Sequence, residues 1–378
     1  MEYVTLGNYC SITSSKRIFA DQYVEKGVPF YRSKEIIEKN NGQDISEPLY
    51  IEPEVYETIK KKFGVPQKGD LLLTSVGTIG IPYIVKDEQF YFKDGNLTWM
   101  RNFSKELSSK YLYYWISSKF GKVSLVNRCI GSSQAALTID ILKNYKLFIP
   151  KRDIQDKVIS ILSAYDNLIE NNDKRIKILE QMAENLYKEW FVRFRFPGHE
   201  STPLENGIPK GWKEEKLSAV FEIKYGKDHK NIEEGLIPIF GSGGIMRYGN
   251  KALCSEESVL IPRKGSLNNV MYYKGDFWTV DTMFYTKMKI KHCAKYTYFT
   301  LSKVDLVGLN SGASIPSMTT DILYHLKMIV PDESTLIAFD KQIDAIFAEK
   351  DRLELQNQNL IKQRDLLLPR LMSGKLAV

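Results

Sequence analysis

Cysteine and long apolar runs are both scarce in this 378-residue chain. The four cysteines, Cys10, Cys129, Cys254 and Cys293, lie far apart and form no CxxC pair, which argues against a disulfide framework or a zinc site. No apolar run approaches the roughly 18 residues that span a bilayer, and the N-terminus shows no signal-peptide pattern. The sequence therefore predicts a cytoplasmic protein without a membrane contact or a metal site.

Motifs for catalysis are lacking as well. The phosphate-binding pattern GxxxxGK[ST] is absent, and no GxGxxG completes the glycine-rich stretch GSGG at 241–244. The four histidines have no metal-ligand spacing, and no pattern of a Ser or Cys nucleophile occurs. The segment EIK at 222–224 resembles part of a nuclease cluster, but it has no partner aspartate upstream at a suitable distance. These absences predict a recognition protein with no catalytic residues and no cofactor of its own.

Positive charge is in mild excess, with 53 Lys and Arg against 46 Asp and Glu. Basic residues outnumber acidic ones by 20 to 16 in residues 1–150 and by 17 to 14 in residues 200–331, while the segments between and after are near neutral. Two cationic segments favour two contacts with a polyanion such as double-stranded DNA. Ordinary solvated lysines explain the charge alone equally well.

The chain contains an internal repeat. The segment GSSQAALTIDILKNYKLFIP at 131–150 matches GASIPSMTTDILYHLKMIVP at 312–331 with an offset of 181 residues. A second match, with an offset of 188, relates DLLLTSVGTIG at 70–80 to SVLIPRKGSLN at 258–268. In each copy, short strand-like runs are followed by a long helical pattern. The predicted fold class is therefore α+β, with two similar mixed α/β domains related by a pseudo-twofold internal repeat.

The sequence predicts a long helix after each of the two domains. The first has an apolar seam that runs through Ile154, Val158, Ile161, Tyr165 and Leu168 and resumes after Asn172. The second seam runs in unbroken heptads from Leu336 to Leu371 and includes Asn357. Such narrow seams predict an antiparallel coiled coil in which Asn172 and Asn357 fix the register. The alternative is that each helix packs only on its own domain.

Four segments result from this interpretation. They are a first domain at 1–150, a helical spacer at 151–198, a second domain at 199–331 and a C-terminal helical region at 332–378. Two basic domains at the ends of a stiff spacer could contact two half-sites of DNA at a set distance.

Several loops supply candidate DNA-binding residues, because polar side chains at strand ends can approach base edges and phosphates. The loop at Gly77 is uncharged, whereas the loop at Gly265 carries Arg and Lys, so the two loops are expected to read different half-sites. A plain polar turn is an equally weighted alternative. The candidates are Thr74, Ser75, Thr78, Ser132, Ser133, Gln134, Arg247, Arg263, Lys264, Ser266, Asn268, Asn269 and Ser314.

Aromatic residues are concentrated at the end of the first helix, in KEWFVRFRFPG at 188–198. Trp190, Phe191 and Phe194 could belong to a core, stack on nucleic acid or dock a partner protein. The residues alone leave these three alternatives open.

The order of these segments resembles the specificity subunit of type I restriction–modification systems. The stretch NLYKEWFVRFRFPG is similar to the end of that family's first conserved helical region, and RDLLLPRLMSGKL is similar to its C-terminal signature. The stretch IPIFGSGGIMRYGN with VLIPRKGSLNNVMYYKGDFWTVD resembles a common type of target-recognition domain. The resemblance covers essentially the whole chain.

The resemblance implies a non-catalytic subunit of a prokaryotic complex, in which each target-recognition domain reads half of a split DNA sequence. Two methyltransferase subunits and, through the complex, restriction/translocase subunits are the implied protein partners. The resemblance implies that Trp190, Phe191 and Phe194 form a partner-binding and helix-end packing surface, with local core packing as the alternative. The symmetric equivalent at the C-terminus consists of Leu367, Leu368 and Leu371. S-adenosylmethionine, ATP and Mg are expected on those partners only. The alternatives are a nuclease-bearing restriction enzyme and a stand-alone coiled-coil scaffold without sequence specificity.

Overall fold

The chain divides into two compact units. The structure, a computed structural model, describes residues 3–130, 135–309 and 317–376. The first unit combines Met1–Asp173 with Glu354–Val378, and the second is Lys174–Leu353. Each unit therefore contains one mixed α/β domain and a part of each long helix.

Among the described residues, the first unit contains ten strands, five whole helices and parts of the two long helices, apart from two short 3-10 turns. Its strands are β1 (Tyr3–Thr5), β2 (Ser11–Thr13), β3 (Tyr23–Val24), β4 (Val28–Tyr31), β5 (Leu49–Ile51), β6 (Leu71–Thr74), β7 (Pro82–Ile84), β8 (Tyr91–Phe92), β9 (Leu97–Arg101) and β10 (Lys146–Phe148). Its helices are α1 (Ser33–Asn40), α2 (Pro53–Phe63), α3 (Ser109–Ser117), α4 (Lys119–Val126), α5 (Ile139–Lys143) and the long α6 (Arg152–Tyr187).

Two small sheets form the first domain. An antiparallel sheet has the order β2-β9-β6-β7, and a second sheet has the order β3-β5-β4-β8 with a parallel pair at β4 and β8. Strand β6 is buried over its whole length because both of its faces are covered, which accounts for its continuous apolar sequence. A short ladder between β1 and β10 brings the chain to the start of α6.

The second unit repeats part of this arrangement. Its strands are β11 (Leu204–Glu205), β12 (Ile208–Pro209), β13 (Lys213–Lys216), β14 (Phe221–Tyr225), β15 (Glu234–Gly241), β16 (Gly244–Gly249), β17 (Ser258–Pro262), β18 (Met271–Tyr273), β19 (Trp278–Thr279), β20 (Met283–Met288) and β21 (Lys327–Val330). Its helices are α7 (Leu217–Val220), α8 (Ala294–Leu301), α9 (Thr320–His325) and the long α10 (Glu333–Met372).

The strand order confirms the internal repeat. The sheet β14-β20-β17-β18 corresponds to β2-β9-β6-β7, and the sheet β16-β15-β19 corresponds to β5-β4-β8, including its parallel pair. The ladder of β13 and β21 corresponds to that of β1 and β10, and it ends just before α10. Two domains with the same topology are therefore each followed by a long helix.

Within each unit the two long helices pack antiparallel. In the first unit, Asp166 Oδ1 lies 2.8 Å from Arg364 Nη1, and Asn172 Nδ2 lies 2.9 Å from Asn357 Oδ1. In the second unit, the ring of Trp190 packs 5.8 Å from that of Phe339. Residue numbers rise along α6 where they fall along α10, so the predicted antiparallel pairing is confirmed within each unit.

The seam of α10 lies where the heptads place it, since Leu336, Phe339 and Ile343 are nearly inaccessible. The predicted seam of α6 is only partly confirmed over its first turns. Val158 is buried as predicted, but Ile154 is 37% exposed and Leu168 is 47% exposed. Gln155 is buried instead of Ile154, and its amide donates to the carbonyl oxygens of Glu106 and Pro150 at 2.7 and 2.8 Å. Periodicity of apolar residues could not predict a buried glutamine that satisfies loop carbonyls.

Candidate nucleic-acid interface

The two repeated motifs of the sequence meet in space in both domains. In the first domain, Val76 bridges Ala136, and in the second Lys264 bridges Ser317. Lys264 follows Val76 by 188 residues, and Ser317 follows Ala136 by 181 residues. These are the offsets of the two sequence matches. Adjacent hydrogen bonds repeat too, from Leu137 N to Ser75 O at 2.9 Å and from Met318 N to Arg263 O at 2.8 Å. Each domain therefore presents the same composite loop surface.

In the first domain, this surface consists of a tight turn with an exposed tip. Gly77 and Gly80 have positive φ angles of 75° and 83°, which favour glycine. Thr78 is exposed at the tip. Thr74 and Ser75 are buried: the hydroxyl of Thr74 accepts a hydrogen bond from Ile81 N at 2.9 Å. Thr74 and Ser75 therefore stabilise the turn from its buried side, and Thr78 is the candidate of the three whose side chain faces solvent.

Ser75 is fixed by a second buried contact. Its hydroxyl lies 2.6 Å from that of Thr98 on the neighbouring strand β9. Burial of both hydroxyl groups as a mutually bonded pair avoids the cost of an unsatisfied polar group. Ser75 is thus a structural residue as it stands here, not a side chain open to DNA.

In the second domain, the loop is cationic and exposed. Lys264 and Ser266 face solvent, and the guanidinium of Arg263 lies 5.5 Å from the ring of Tyr225, which is 51% exposed. Arg263 Nη1 also donates to Asp281 O at 3.3 Å. An arginine held in place over an aromatic ring is ordered before it meets a base edge or a phosphate.

The two asparagines of this loop are already engaged as anchors. Asn268 donates to Asp305 Oδ1 at 3.1 Å and accepts from Val307 N at 3.1 Å. The hydrogen bond from Asn268, followed by one from the backbone of Gly308, lowers the pKa of Asp305, so this carboxyl stays charged. Asn269 donates to Ser242 O at 2.8 Å, which joins the loop to the β15–β16 turn. Their predicted role at an adenine edge requires these bonds to break.

Arg247 is a second candidate that the structure places in an internal role. Its Nη2 donates to the carbonyl oxygens of His229 and Ile232, the latter at 3.0 Å. Its Nε lies 3.2 Å from His229 Nδ1. The guanidinium therefore ties the strand β16 to the preceding loop. The remaining candidates, Ser132, Ser133, Gln134 and Ser314, lie outside the described residues.

Sequence reasoning missed a second loop at the same sheet edge. Strand β2 ends beside the start of β9, where β9 also pairs with the end of β6 that leads into the Gly77 turn. Strand β2 is followed by Lys16 and Arg17, both exposed. The corresponding strand β14 is followed by Lys227 and Lys230, also exposed. The signal in the sequence was a basic loop after the first sheet strand of each copy, in TSSKR and YGKDHK. At this edge, the first domain therefore has a basic loop beside its uncharged turn, and the second domain has two basic loops.

The aromatic cluster at the end of α6 belongs to the core of the second unit. Trp190 is 5% exposed and Phe191 is 6% exposed, and the ring of Phe191 lies 4.3 Å from that of Tyr296. A π-helical turn at Lys188–Val192 and a positive φ of 55° at Phe194 turn the latter onto Trp212. Local packing, the alternative to docking, thus accounts for these side chains.

The C-terminal leucines have the same place in the first unit. Leu368 and Leu371 are buried in its core, and Leu367 is half-buried against that core. The offset of 181 relates Leu371 to Trp190, so the two helix ends pack into the cores of equivalent domains. The exposed apolar neighbours are Val192, at 60%, and Leu366, at 64%. The predicted docking residues are thus mostly covered within their own units, and the exposed apolar side chains lie one or two positions away along each helix.

Among residues 3–130, 135–309 and 317–376, no group of three His, Cys, Asp or Glu side chains is arranged to hold a metal ion. Over the same ranges, none of the helices combines the length and apolarity needed to cross a bilayer.

Comparison with known proteins agrees with the repeated architecture. The family described as "Type I restriction modification DNA specificity domain" matches residues 1–181 and 209–363. The MjaIX specificity subunit of a type I restriction enzyme from Methanocaldococcus jannaschii is 27% identical over 349 residues, which cover 82% of this chain and 78% of that one. The putative MjaX specificity subunit from the same organism is 24% identical over 382 residues, covering 93% and 88%.

A solved structure shares the fold. The S subunit of a type I restriction–modification system from M. genitalium superposes with a TM-score of 0.65 at 17% identity, over 98% of this chain and 95% of that one. Since the family match covers both halves of the repeat, the chain belongs to the type I restriction–modification DNA specificity family and is a specificity subunit of such a system.

Proposed function

We propose that each mixed α/β domain reads one half of a bipartite target in double-stranded DNA. The observation that supports this most directly is the composite loop surface, which recurs in both domains with different side chains. The first domain presents Thr78 and the second presents Arg263 and Lys264. Equivalent loops with unlike chemistry suit two different half-sites, because arginine and lysine favour guanine and phosphates whereas a threonine can contact a thymine methyl group.

The long helices set the gap between the half-sites in this proposal. One helical turn advances about 5.4 Å, and one base-pair step of DNA advances about 3.4 Å. Removal of a matched turn from α6 and α10 should thus shorten the recognised gap by one or two base pairs. The Asn172–Asn357 contact supports a fixed register, since an antiparallel pair with a buried polar layer resists slippage.

The protein partners are two methyltransferase subunits and, through the complex, restriction/translocase subunits. The helix ends dock the methyltransferases, and the exposed Val192 and Leu366 are the apolar side chains there that remain available. Catalysis belongs to these partners, which bind S-adenosylmethionine, ATP and Mg. The specificity subunit itself neither cuts nor methylates DNA.

A reconstitution experiment tests this function. The chain is purified alone and together with its cognate methyltransferase, and both samples are incubated with a library of DNA duplexes. We expect methylation of a bipartite sequence by the complex and no turnover by the chain alone. Cleavage or methylation by the isolated chain would favour a nuclease-bearing enzyme, and binding without sequence preference would favour a scaffold. The dependence of the DNA-binding constant on salt concentration reports how many phosphates the protein contacts.

A further inference from the structure

A buried lysine joins the second domain to the long helix α10. The side chain of Lys295, in α8, is only 1% exposed. Its Nζ lies 2.6 Å from Oδ1 of Asp340, 2.7 Å from Oε1 of Glu257 and 3.0 Å from Oδ1 of Asp344. Asp340 and Asp344 lie on α10, four residues apart, whereas Glu257 directly precedes β17. One ammonium group thus connects three elements of the unit.

Each of these carboxylates has a second partner from the domain. The partners are the hydroxyl of Tyr272, which donates to Glu257, Nζ of Lys274, 3.5 Å from Asp344, and Nδ1 of His292, 2.9 Å from Asp340. The Lys295 ammonium also lies 5.4 Å from the centre of the Tyr272 ring. We call this set of seven side chains the Lys295 cluster.

The Lys295 cluster is better suited to hold α8 in position on α10 than to increase the free energy of unfolding. Burial alone lowers the pKa of Lys295, but the hydrogen bonds to Asp340 and Glu257 outweigh it and raise the pKa overall, so the side chain is charged. Desolvation of such an ion largely cancels its attraction to its partners, and an apolar replacement of a whole buried pair is often neutral or stabilising. The bonds are nevertheless directional, and they hold α8 at one place along α10.

The first domain is joined to its helix by other chemistry. The sequence KYLYY that begins at Lys110 in α3 matches KYTYF that begins at Lys295 in α8, but Lys110 is only half-buried. There Gln155 accepts from Ser108 N at 2.9 Å, and the hydroxyl of Tyr114 donates to Asp166 at 2.5 Å. The second domain thus contacts its long helix through a buried ammonium group, whereas the first domain uses hydrogen bonds from a backbone amide and a tyrosine hydroxyl at this place.

We propose that Lys295 is a positioning residue that fixes the orientation of the second domain on α10, and thereby the gap between half-sites that the protein accepts. The inference rests on the proposed bipartite recognition. Without the Lys295 cluster, the domain reads the same bases but rotates more freely on the helix. Duplexes with a wrong gap then bind nearly as well as the correct one.

The test uses the complex of the full chain with its methyltransferase. Binding is measured to duplexes that carry both half-sites at the correct gap, or at gaps one base pair shorter and longer. For Lys295→Met we expect the preference for the correct gap to fall about tenfold, equivalent to about 1.4 kcal/mol. The ranking of base substitutions within each half-site should stay unchanged, which a merely unstable domain would not preserve.

Two further variants keep the test decisive. Lys295→Met combined with Asp340→Leu removes both members of the shortest ion pair, so it leaves fewer buried charges without a partner than the single variant does. Glu257 and Asp344 keep Tyr272 and Lys274 as partners, and the double variant should show the same loss of gap preference. Lys303→Met is the matched control, because the exposed Lys303 pairs with Glu184 on α6 at the surface, where an ion pair contributes little.

The outcomes separate the inference from the function on which it rests. Unchanged gap preference in the folded double variant overturns the positioning role, as does a simultaneous loss of base preference. A wild-type complex that binds all gaps equally contradicts the proposed function itself.

Discussion

Asn172 donates a hydrogen bond to Asn357 across the antiparallel helices, with Nδ2 and Oδ1 2.9 Å apart. Both side chains are nearly inaccessible, at 3% and 7% exposure. Asn357 in turn donates to Asp173 Oδ1 at 2.7 Å. The two amides therefore form a buried polar layer between the helices, and this layer specifies which residues of α6 and α10 face each other.

Substitution of one asparagine should cost more than substitution of both. Asn172→Leu leaves the amide of Asn357 buried without one partner, which costs about 1–3 kcal/mol, whereas the double change to leucine should be close to neutral or stabilising. Chemical denaturation of the single and double variants measures the difference. Additive losses in the double variant would contradict a paired layer.

Acid should weaken the start of α10 through Asp332. Its carboxylate accepts from Thr335 N and Trp212 Nε1, both at 3.0 Å. Burial raises the pKa of Asp332, but the hydrogen bonds from Ser334, Thr335 and Trp212 outweigh it and lower the pKa to about 2. A lowered pKa contributes stability that is present above the ordinary value of 3.8 and is lost as the pH falls towards 2.

Asp332→Ala tests this capping role. We expect a loss of about 1 kcal/mol near neutral pH, typical of a lost N-cap, and a flatter decline of stability between pH 4 and 2. Asp153→Ala, in the exposed first turn of α6, is the control and should change stability much less. Equal pH profiles for wild type and the Asp332 variant would contradict the assignment.

Lys264 should contribute to DNA affinity without contributing to folding. Lys264→Ala removes one exposed cation from the composite loop surface, so we expect weaker binding of all sequences and a salt slope lower by about one unit. Lys289 is the matched control, because it is exposed and follows the opposite end of the same sheet, after β20. Loss of affinity in Lys289→Ala comparable to that in Lys264→Ala would indicate unspecific attraction.

Trp190 should behave as a core residue. Trp190→Ala is expected to destabilise the protein by about 3–5 kcal/mol because it leaves a cavity among buried rings. Val192→Ala, at an exposed site two residues away, should change stability by less than about 0.5 kcal/mol. Thermal unfolding distinguishes the two. Reduced methyltransferase binding by the folded Val192 variant would further support docking at this helix end.

The sequence predicted the repeat and the antiparallel pairing, and it placed Asn172 and Asn357 on the two seams, because each of these depends on spacing along one chain. It placed Trp190 and Phe191 on a docking surface, since the apolar residues of a helix end do not reveal whether a domain covers them. It also missed Lys16, Arg17 and Lys227, which become neighbours of the predicted loops only once the strands pair. Strand pairing between distant segments determines which loops share an edge, and spacing alone does not contain that information.

Methylation mapping of a host that carries the complete system is the most direct test of recognition by two separate domains. It compares wild type with Thr78→Ala in the first domain and Arg263→Gln in the second. We predict a split motif with a constant gap in which each variant relaxes a different half and leaves the gap unchanged. An uninterrupted motif, or relaxation of the same half by both variants, would contradict the account.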